Sequence, residues 1–473
     1  MSLVRITPYH PPVCTFMPPT HTDKPAAREK KLRRRPWLIL GGLFLAALSA
    51  LGWLMFSHDA PPPDDADMLP LWSGRGGDAN PLAASCRVME TSGIHDDGGV
   101  PDGAWRADPR DRRQMEAYLT RHAGVLKAFD DLTATDATQW QWPQAGTHHA
   151  PQDTEPYANL MDVAYALHAQ AIYKVAEGKG GEAQALCLKL ARTGSGMLNA
   201  EGGFHELQTA QRVLREGASG LEKVLVDRSA TPAQVRECLQ ELALTGSMRG
   251  EDLQFALKSH YGWFKQQIQQ EGRERLLQYM DQIDLGARPG ELLRFKRNHT
   301  LAGLLPWHRM LLQGMDKGRH ETLLAMRQAF SGCAAWSAEH RALGYLTDYN
   351  SLGKNMVRLR VTQTNALLGH ILRLDSLHSQ NLIILALRLH ELEHGALPPT
   401  LDALAPAYLP VVPRDVYSGK PMRWNPTTRV VYAVGEDGQD DGGHFVSGWM
   451  DSRDLSTPYW WRGEASPSPQ AAP

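Results

Sequence analysis

The sequence predicts a mainly α-helical protein with one N-terminal transmembrane helix, a helical-hairpin or bundle region and a small C-terminal α+β module. Three observations predict this architecture. Residues 37–56 form an apolar run without a charge, residues 111–380 show helical spacing of apolar residues, and strand-like alternation appears beyond Gly395. A chain of 473 residues has room for two or three domains with their own cores.

The first 36 residues form a strongly basic tail. They contain eight Lys and Arg residues against Asp23 and Glu29, a net charge of +6, which leaves −8 for the rest of a chain whose overall charge is −2. Because almost all of the chain is acidic on balance, nucleic acid is not an expected partner.

The apolar run over residues 37–56 has the length of a membrane-spanning helix, since roughly 20 residues cross a hydrocarbon layer of about 30 Å. Basic residues precede the run and acidic residues follow it, so the N-terminus is expected in the cytoplasm. A cleaved signal peptide is the alternative, but its apolar part usually has only about 7–15 residues. The sequence therefore predicts a single-pass bacterial inner-membrane protein with its bulk in the periplasm.

Four cysteines would then lie on the oxidising side of that membrane: Cys86, Cys187, Cys238 and Cys333. Two disulfides, in any of three pairings, are compatible with this number. Cys187 and Cys238 fall on apolar helix faces, so buried free thiols are an equal alternative.

The segments between the membrane run and residue 380 differ in composition. Residues 57–110 are rich in Pro, Gly and Asp, which predicts a stalk. Further on, Thr231, Pro232 and Gln234 predict a helix that starts with a capping box. Two amphipathic runs flank a Gly-rich turn at residues 178–181 and predict a helical hairpin. Residues 111–380 are therefore interpreted as a bundle or irregular solenoid of helix pairs.

Residues 390–394 read HELEH and satisfy the zinc-binding pattern H-E-x-x-H. On a helix, His390 and His394 lie one turn apart and could bind one zinc ion, with Glu391 as the general base. Gly395 and Pro398 end that helix at once, and no later helix offers the third ligand that zinc needs. We interpret the two histidines as solvated residues at a helix end.

Beyond the helix, two short runs around an Asn-Pro turn at residues 425–426 predict a β-hairpin. The last residues, 463–473, are of low complexity and are expected to be disordered.

An ordered series of motifs gives residues 381–445 a family resemblance. A polar helix end is followed by Gly395 and Pro398, and the next segments are YLPVVPRD (408–415), GKP (419–421), YAVGEDG (432–438) and DDGG (440–443). In this order the segments resemble the globular C-terminal half of the major pseudopilin of type II secretion. The chain from about residue 155 is also similar to uncharacterised bacterial membrane-anchored proteins, a likeness that implies architecture and no activity.

The resemblance implies an α+β module over residues 381–462 and a calcium-binding loop. Asp437, Asp440 and Asp441 would supply carboxylates to the calcium ion, which prefers about 6–8 oxygen ligands. This loop is shorter than that of the family, so an ordinary Asp/Gly turn is the alternative. Pro36 and Gly41 occupy positions where prepilin processing needs a Gly and a Glu, so the chain is not expected to be a pilin subunit.

These observations predict a non-enzymatic scaffold or accessory protein that binds protein partners in the cell envelope, with a link to secretion or pilus systems. Regions of paired helices present broad binding surfaces without built-in chemistry. The alternative is a membrane-anchored zinc metallopeptidase that uses His390, Glu391 and His394.

Overall fold

A computed structural model describes residues 39–50, 52, 59–71, 80–94, 100–101, 111–142, 155–225, 230–245, 248–270, 295–339, 350–443 and 454–458. The contacts divide the chain into two units, residues 1–58 and residues 59–473. The predicted basic tail (1–36) and low-complexity tail (463–473) lie outside the described residues.

The prediction of a membrane-spanning helix over residues 37–56 needs correction. Residues 39–50 and 52 are helical. None of the helices in the described part of the chain combines the length and the apolar character that a membrane crossing requires. This finding contradicts the predicted inner-membrane localisation with a periplasmic bulk.

The unit from residue 59 onward is built mainly from α-helices, which confirms the predicted fold class at that level. Its described helices are, in chain order, α1 (Pro81–Glu90), α2 (Arg112–Arg121), α3 (Ala123–Thr133), α4 (Glu155–Ala176), α5 (Gly180–Leu198), α6 (Phe204–Leu225), α7 (Pro232–Leu244), α8 (Gly250–Gln270), α9 (Arg297–Lys317), α10 (Arg319–Glu339) and α11 (Ser351–His394). Short 3-10 turns cover Ala66–Met68, Ala137–Gln139 and Leu401–Leu404.

The predicted start of α7 is confirmed. The Thr231 hydroxyl accepts a hydrogen bond from the backbone N–H of Gln234 at 3.3 Å, and the Gln234 side chain accepts one from the N–H of Thr231 at 2.9 Å. These two reciprocal bonds satisfy backbone donors that a helix start leaves unpaired.

The predicted hairpin of α4 and α5 is also present, with Gly178 in the left-handed region (φ 77°) of its turn. Among the described helices, α5 and α6 also approach each other closely. A Cβ on Gly217 would lie 2.5 Å from the backbone nitrogen of Ala191 and 2.6 Å from the carbonyl oxygen of Cys187. The two backbones therefore touch at a position that only glycine fits.

Helix α11 is the centre of the unit. It contacts α6, α7, α9 and α10, and its C-terminal half also contacts the sheet. Seven consecutive residues, 383–389, are buried, so the helix is covered on all sides there. The domain boundary predicted at residue 381 falls inside this helix.

The described strands form one antiparallel sheet in the order β1 (Arg423–Asn425), β2 (Val430–Ala433) and β3 (Leu455–Pro458). The predicted hairpin is confirmed by the β1–β2 pair, in which Trp424 lies opposite Val431. Its turn is closed by the Asn425 side-chain oxygen, which accepts from the backbone N–H groups of Thr427 at 3.0 Å and Thr428 at 3.1 Å. All four residues of β2 are buried.

The segment predicted as a stalk packs against the helices where it is described. Its apolar side chains Met68, Leu82 and Ile94 are completely buried in the hydrophobic core. The Asp65 carboxylate accepts hydrogen bonds from the Tyr261 hydroxyl at 2.6 Å and from the Lys265 ammonium at 2.9 Å, both on α8. The aspartates that suggested a solvated linker thus serve as partners for the helical region.

Cys86, Cys187, Cys238 and Cys333 are free and buried. Of the two alternatives left open by the sequence, the structure has the buried thiols. Burial raises the pKa of Cys86 to about 12 and that of Cys333 to about 11, because an apolar environment disfavours the thiolate.

Candidate functional site

The HELEH motif lies at the C-terminal end of α11. Gly395 follows the helix in the left-handed conformation (φ 77°), and its N–H donates to the carbonyl oxygen of Glu391 at 2.8 Å. This glycine cap ends the helix directly after the second histidine, as the sequence predicts. His394 is exposed and His390 is partly exposed.

The two imidazole rings stack on each other, with centroids 4.3 Å apart and an interplanar angle of 19°. Nδ1 of His390 lies 3.0 Å from the carbonyl oxygen of Ala396, and Nδ1 of His394 lies 3.1 Å from the carbonyl oxygen of His390. A carbonyl oxygen only accepts, so both Nδ1 atoms carry the proton and the Nε2 atoms of the neutral rings carry the lone pairs. Because the rings are nearly parallel, these lone pairs do not converge on one metal position unless a ring rotates.

Glu391, the general base of the zinc hypothesis, already has a cationic partner. Its carboxylate lies 2.7 Å from the guanidinium of Arg388, whose side chain is 2% exposed. Arg388 also donates to the carbonyl oxygen of Leu225 on α6 at 3.3 Å. A carboxylate that compensates a buried cation is a poor general base, since proton uptake would remove the negative charge that offsets that cation.

The remaining acid of the motif holds the following loop. The Glu393 carboxylate forms an ion pair with Arg236 of α7 and accepts a hydrogen bond from the Tyr408 hydroxyl at 2.8 Å. Burial and this hydrogen bond to Glu393 raise the pKa of Tyr408 to about 12. The helix end therefore connects α7, α11 and the loop that enters the module.

The acidic loop predicted to bind calcium is organised by its own hydrogen bonds. Asp437 accepts from the N–H of Gln439 at 3.0 Å, and Asp440 accepts from the N–H of Gly442 at 3.1 Å. Asp440 also pairs with Arg423 at 2.9 Å. A carboxylate that already pairs with a guanidinium is less available to a cation.

Within the described stretches of the chain, no three His, Cys, Asp or Glu side chains form a group that could hold a metal ion. Zinc at His390, Glu391 and His394 and calcium at Asp437, Asp440 and Asp441 remain predictions of the sequence.

Asp415 accepts several hydrogen bonds in the module, whereas sequence analysis named it only as the last residue of the YLPVVPRD segment. Its side chain is fully buried and accepts from the backbone N–H groups of Tyr417 at 2.8 Å and Val434 at 3.1 Å. The Ser418 hydroxyl at 2.6 Å and the Arg423 guanidinium at 3.1 Å complete its partners. Asp415 thereby ties the loop before β1 to the end of β2.

No protein family, curated protein or solved structure matches this chain.

Proposed function

We propose that this chain is a non-enzymatic scaffold that binds protein partners. The observation that carries the proposal is the construction of the C-terminal region around one uninterrupted helix. α11 runs for 44 residues from the helical region into the sheet module, and residues 383–389 are buried on all sides. A shared helix and a shared core hold the two regions as one platform, as a scaffold requires.

Polar contacts also fix the module to the helices. The Gln380 amide donates to the carbonyl oxygen of Leu455 at 2.7 Å, so that α11 binds β3 directly. Nδ1 of His320 on α10 lies 2.9 Å from the carbonyl oxygen of Val416, and Arg327 donates to that of Glu436 at 2.6 Å. Several independent contacts oppose hinge motion between the regions and favour a binding role over a catalytic closure.

The candidate catalytic groups support the same proposal, because they serve structural contacts. Glu391 compensates Arg388, and both Nδ1 atoms of the histidines bind carbonyl groups. The resemblance of residues 381–445 to a pseudopilin, and the small antiparallel sheet on the end of a long helix, support a partner in a secretion or pilus system.

Photo-crosslinking in the source organism tests the scaffold. A photoreactive amino acid would replace exposed apolar residues on different surfaces: Leu244 (82% exposed), Phe330 (49%) and Val411 (70%). We expect at least one position to yield a discrete adduct with a single protein, which excess unlabelled chain suppresses. The proposal fails if no position gives such an adduct.

A second measurement separates the scaffold from the peptidase. The purified protein would be loaded with zinc and assayed for hydrolysis of an unfolded protein, together with His390→Ala. We expect no hydrolysis above the His390→Ala background. Zinc-dependent hydrolysis that His390→Ala abolishes would replace the scaffold with a peptidase.

A further inference from the structure

One face of α6 carries an acid, a glycine and a lysine in succession. Glu216, Gly220 and Lys223 follow one another at the spacing of a helical turn, so they lie one above the other on the helix. A Cβ on Gly220 would lie 3.4 Å from Cδ2 of His168 on α4. Because Gly220 has no side chain, the imidazole of His168 packs directly against α6.

The imidazole of His168 bridges the acid and the lysine. Its Nδ1 lies 2.6 Å from the carboxylate of Glu216, and its Nε2 lies 3.4 Å from Nζ of Lys223. A carboxylate only accepts a hydrogen bond and an ammonium only donates one. Nδ1 therefore carries the proton, the ring is neutral, and the lone pair of Nε2 accepts from the ammonium of Lys223.

The three groups differ in their access to solvent. The His168 side chain is 3% exposed and the Glu216 side chain 18%, whereas Lys223 is exposed. Reduced solvation strengthens the contact between the acid and the imidazole. Solutes can therefore reach the amine, while the two groups behind it are held in place.

The imidazole is a partner that can take up the proton of the lysine. Exposed Lys127, by contrast, pairs directly with the carboxylate of Asp131 at 2.7 Å, and a carboxylate favours the ammonium form. Imidazole takes up and releases protons near neutral pH. An ammonium is not a nucleophile, whereas the amine left after proton transfer to Nε2 is one. The carboxylate of Glu216 would stabilise the resulting imidazolium, as the acid does where an acid and an imidazole activate a nucleophile.

We propose that Lys223 is a site of covalent acylation by a reactive acyl group, carried by an acyl phosphate or a thioester, with His168 as the general base. The ammonium passes one proton to Nε2, and the amine attacks the acyl carbon. The C–N bond forms, the bond to the leaving phosphate or thiol breaks with its electron pair, and the leaving group takes the second proton. His168 then releases the first proton to water, which leaves a neutral amide on Lys223.

Acetylation of the full chain at neutral pH tests the site, with acetyl phosphate in one series and S-acetyl-N-acetylcysteamine, a thioester, in the other. Mass spectrometry measures the rate at each lysine. We expect Lys223 to react about 10-fold or more faster than Lys420 with at least one donor, since a positioned general base contributes at least this factor in enzymes. Lys420 is exposed, and its side chain has no hydrogen-bond or ion-pair partner among the described residues. Equal rates with both donors would overturn the proposal.

His168→Phe keeps a ring at this position and removes the base, so it should lower the rate at Lys223 to that at Lys420. His308→Phe is the matched control, since it makes the same change at another buried histidine, on α9, and should leave the ratio of the two rates unchanged. Both lysines are measured in the same molecules, so a general loss of stability does not imitate the effect. Equal ratios in His168→Phe and His308→Phe would refute the role of the base.

Glu216→Gln keeps the test valid if His168→Phe fails to fold. The amide oxygen of glutamine still accepts from Nδ1 but carries no charge to stabilise an imidazolium, so the ratio of the rates at Lys223 and Lys420 should fall part of the way. An unchanged ratio would contradict the proposal. The two donors separate the sources of the acyl group: selectivity for Lys223 with only one of them supports the site and assigns it to that donor class, and selectivity with both assigns it to reactive acyl groups of either kind.

Discussion

The guanidinium of Arg388 and the carboxylate of Glu391 lie 2.7 Å apart at the end of α11, where the arginine is 2% exposed and the glutamate 22%. Arg388 also reaches the carbonyl oxygen of Leu225, the last residue of α6, at 3.3 Å. This ion pair therefore connects the ends of two helices. It gives Glu391, the general base of the zinc hypothesis, a structural role.

Glu391→Gln should lower the free energy of unfolding by about 1–3 kcal/mol, because it removes the anionic acceptor of a buried cation. Urea denaturation measures this change. Glu393→Gln is the control, since its partner Arg236 is 52% exposed, and exposed pairs contribute at most about 1 kcal/mol. Equal losses in the two variants would show that burial of Arg388 does not set the energy of its pair.

Local signals allowed several elements to be predicted from the sequence. The capping box at Thr231 needs only residues three positions apart, and the turn at Asn425 needs only the backbone of the next three residues. The glycine that ends α11 is local in the same sense. Such features depend on the chain immediately around them, so the pattern alone identifies them.

The features of the fold that the sequence did not predict depend on contacts between distant parts of the chain. Asp65 pairs with Lys265, and Gln211 meets Ile371, across about 200 and 160 positions. No spacing rule connects residues from separate elements, which is why sequence reasoning assigned residues 57–110 to a stalk and did not foresee that Asp65 binds Tyr261 and Lys265.

Gly217→Ala should destabilise the protein by about 1–3 kcal/mol or more. The new Cβ would lie 2.5 Å from the backbone nitrogen of Ala191, so α5 and α6 must move apart. Gly181→Ala, where a Cβ meets nothing within 4 Å, should be neutral or stabilise by up to about 1 kcal/mol. Chemical denaturation of both variants tests the close approach, which would be refuted by similar stabilities.

His308 should make the protein sensitive to acid. The side chain is fully buried, and burial, with a smaller contribution from Arg360, lowers its pKa to about 3. The unfolded chain takes up this proton near pH 6.5 and the folded protein only near pH 3. The contribution of His308 to the free energy of unfolding is thus fully present above about pH 6.5. It is lost as the pH falls from there toward 3.

His308→Phe should reduce the dependence of stability on pH over this window, because it removes one group whose pKa differs between the two states. The dependence should not vanish, since burial also lowers the pKa of His260, His370 and His378. The exposed His299 provides the control His299→Gln, which should leave the slope unchanged. Urea denaturation between pH 7 and pH 4 measures both slopes. A His308→Phe slope equal to that of the parent would rule out the buried imidazole as the cause.

The four described cysteines should react slowly with thiol reagents in the folded protein. Burial raises the pKa of Cys238 to about 12 and that of Cys86 to about 12, and the reagent needs a thiolate. Labelling in a Cys14→Ser background should proceed only on addition of denaturant, to four thiols per chain. Fewer thiols after unfolding without a reductant would mean that a disulfide is present.

Asp415→Asn should loosen the sheet module, since the aspartate accepts from Tyr417, Val434, Ser418 and Arg423 while fully buried. An asparagine has one acceptor oxygen and turns two N–H donors toward groups that are themselves donors. We expect the free energy of unfolding to fall by about 1.5–3 kcal/mol, the range for hydrogen bonds to a charged group.

Asp402→Asn, at an exposed carboxylate of the neighbouring 3-10 turn, should cost almost nothing. Because α11 carries the helical region and the module together, the loss from Asp415→Asn should appear as one cooperative transition at a lower temperature. Hydrogen exchange resolved by residue distinguishes this result from separate melting of residues 401–443. Early exchange confined to the module would show that the shared helix does not couple the two regions.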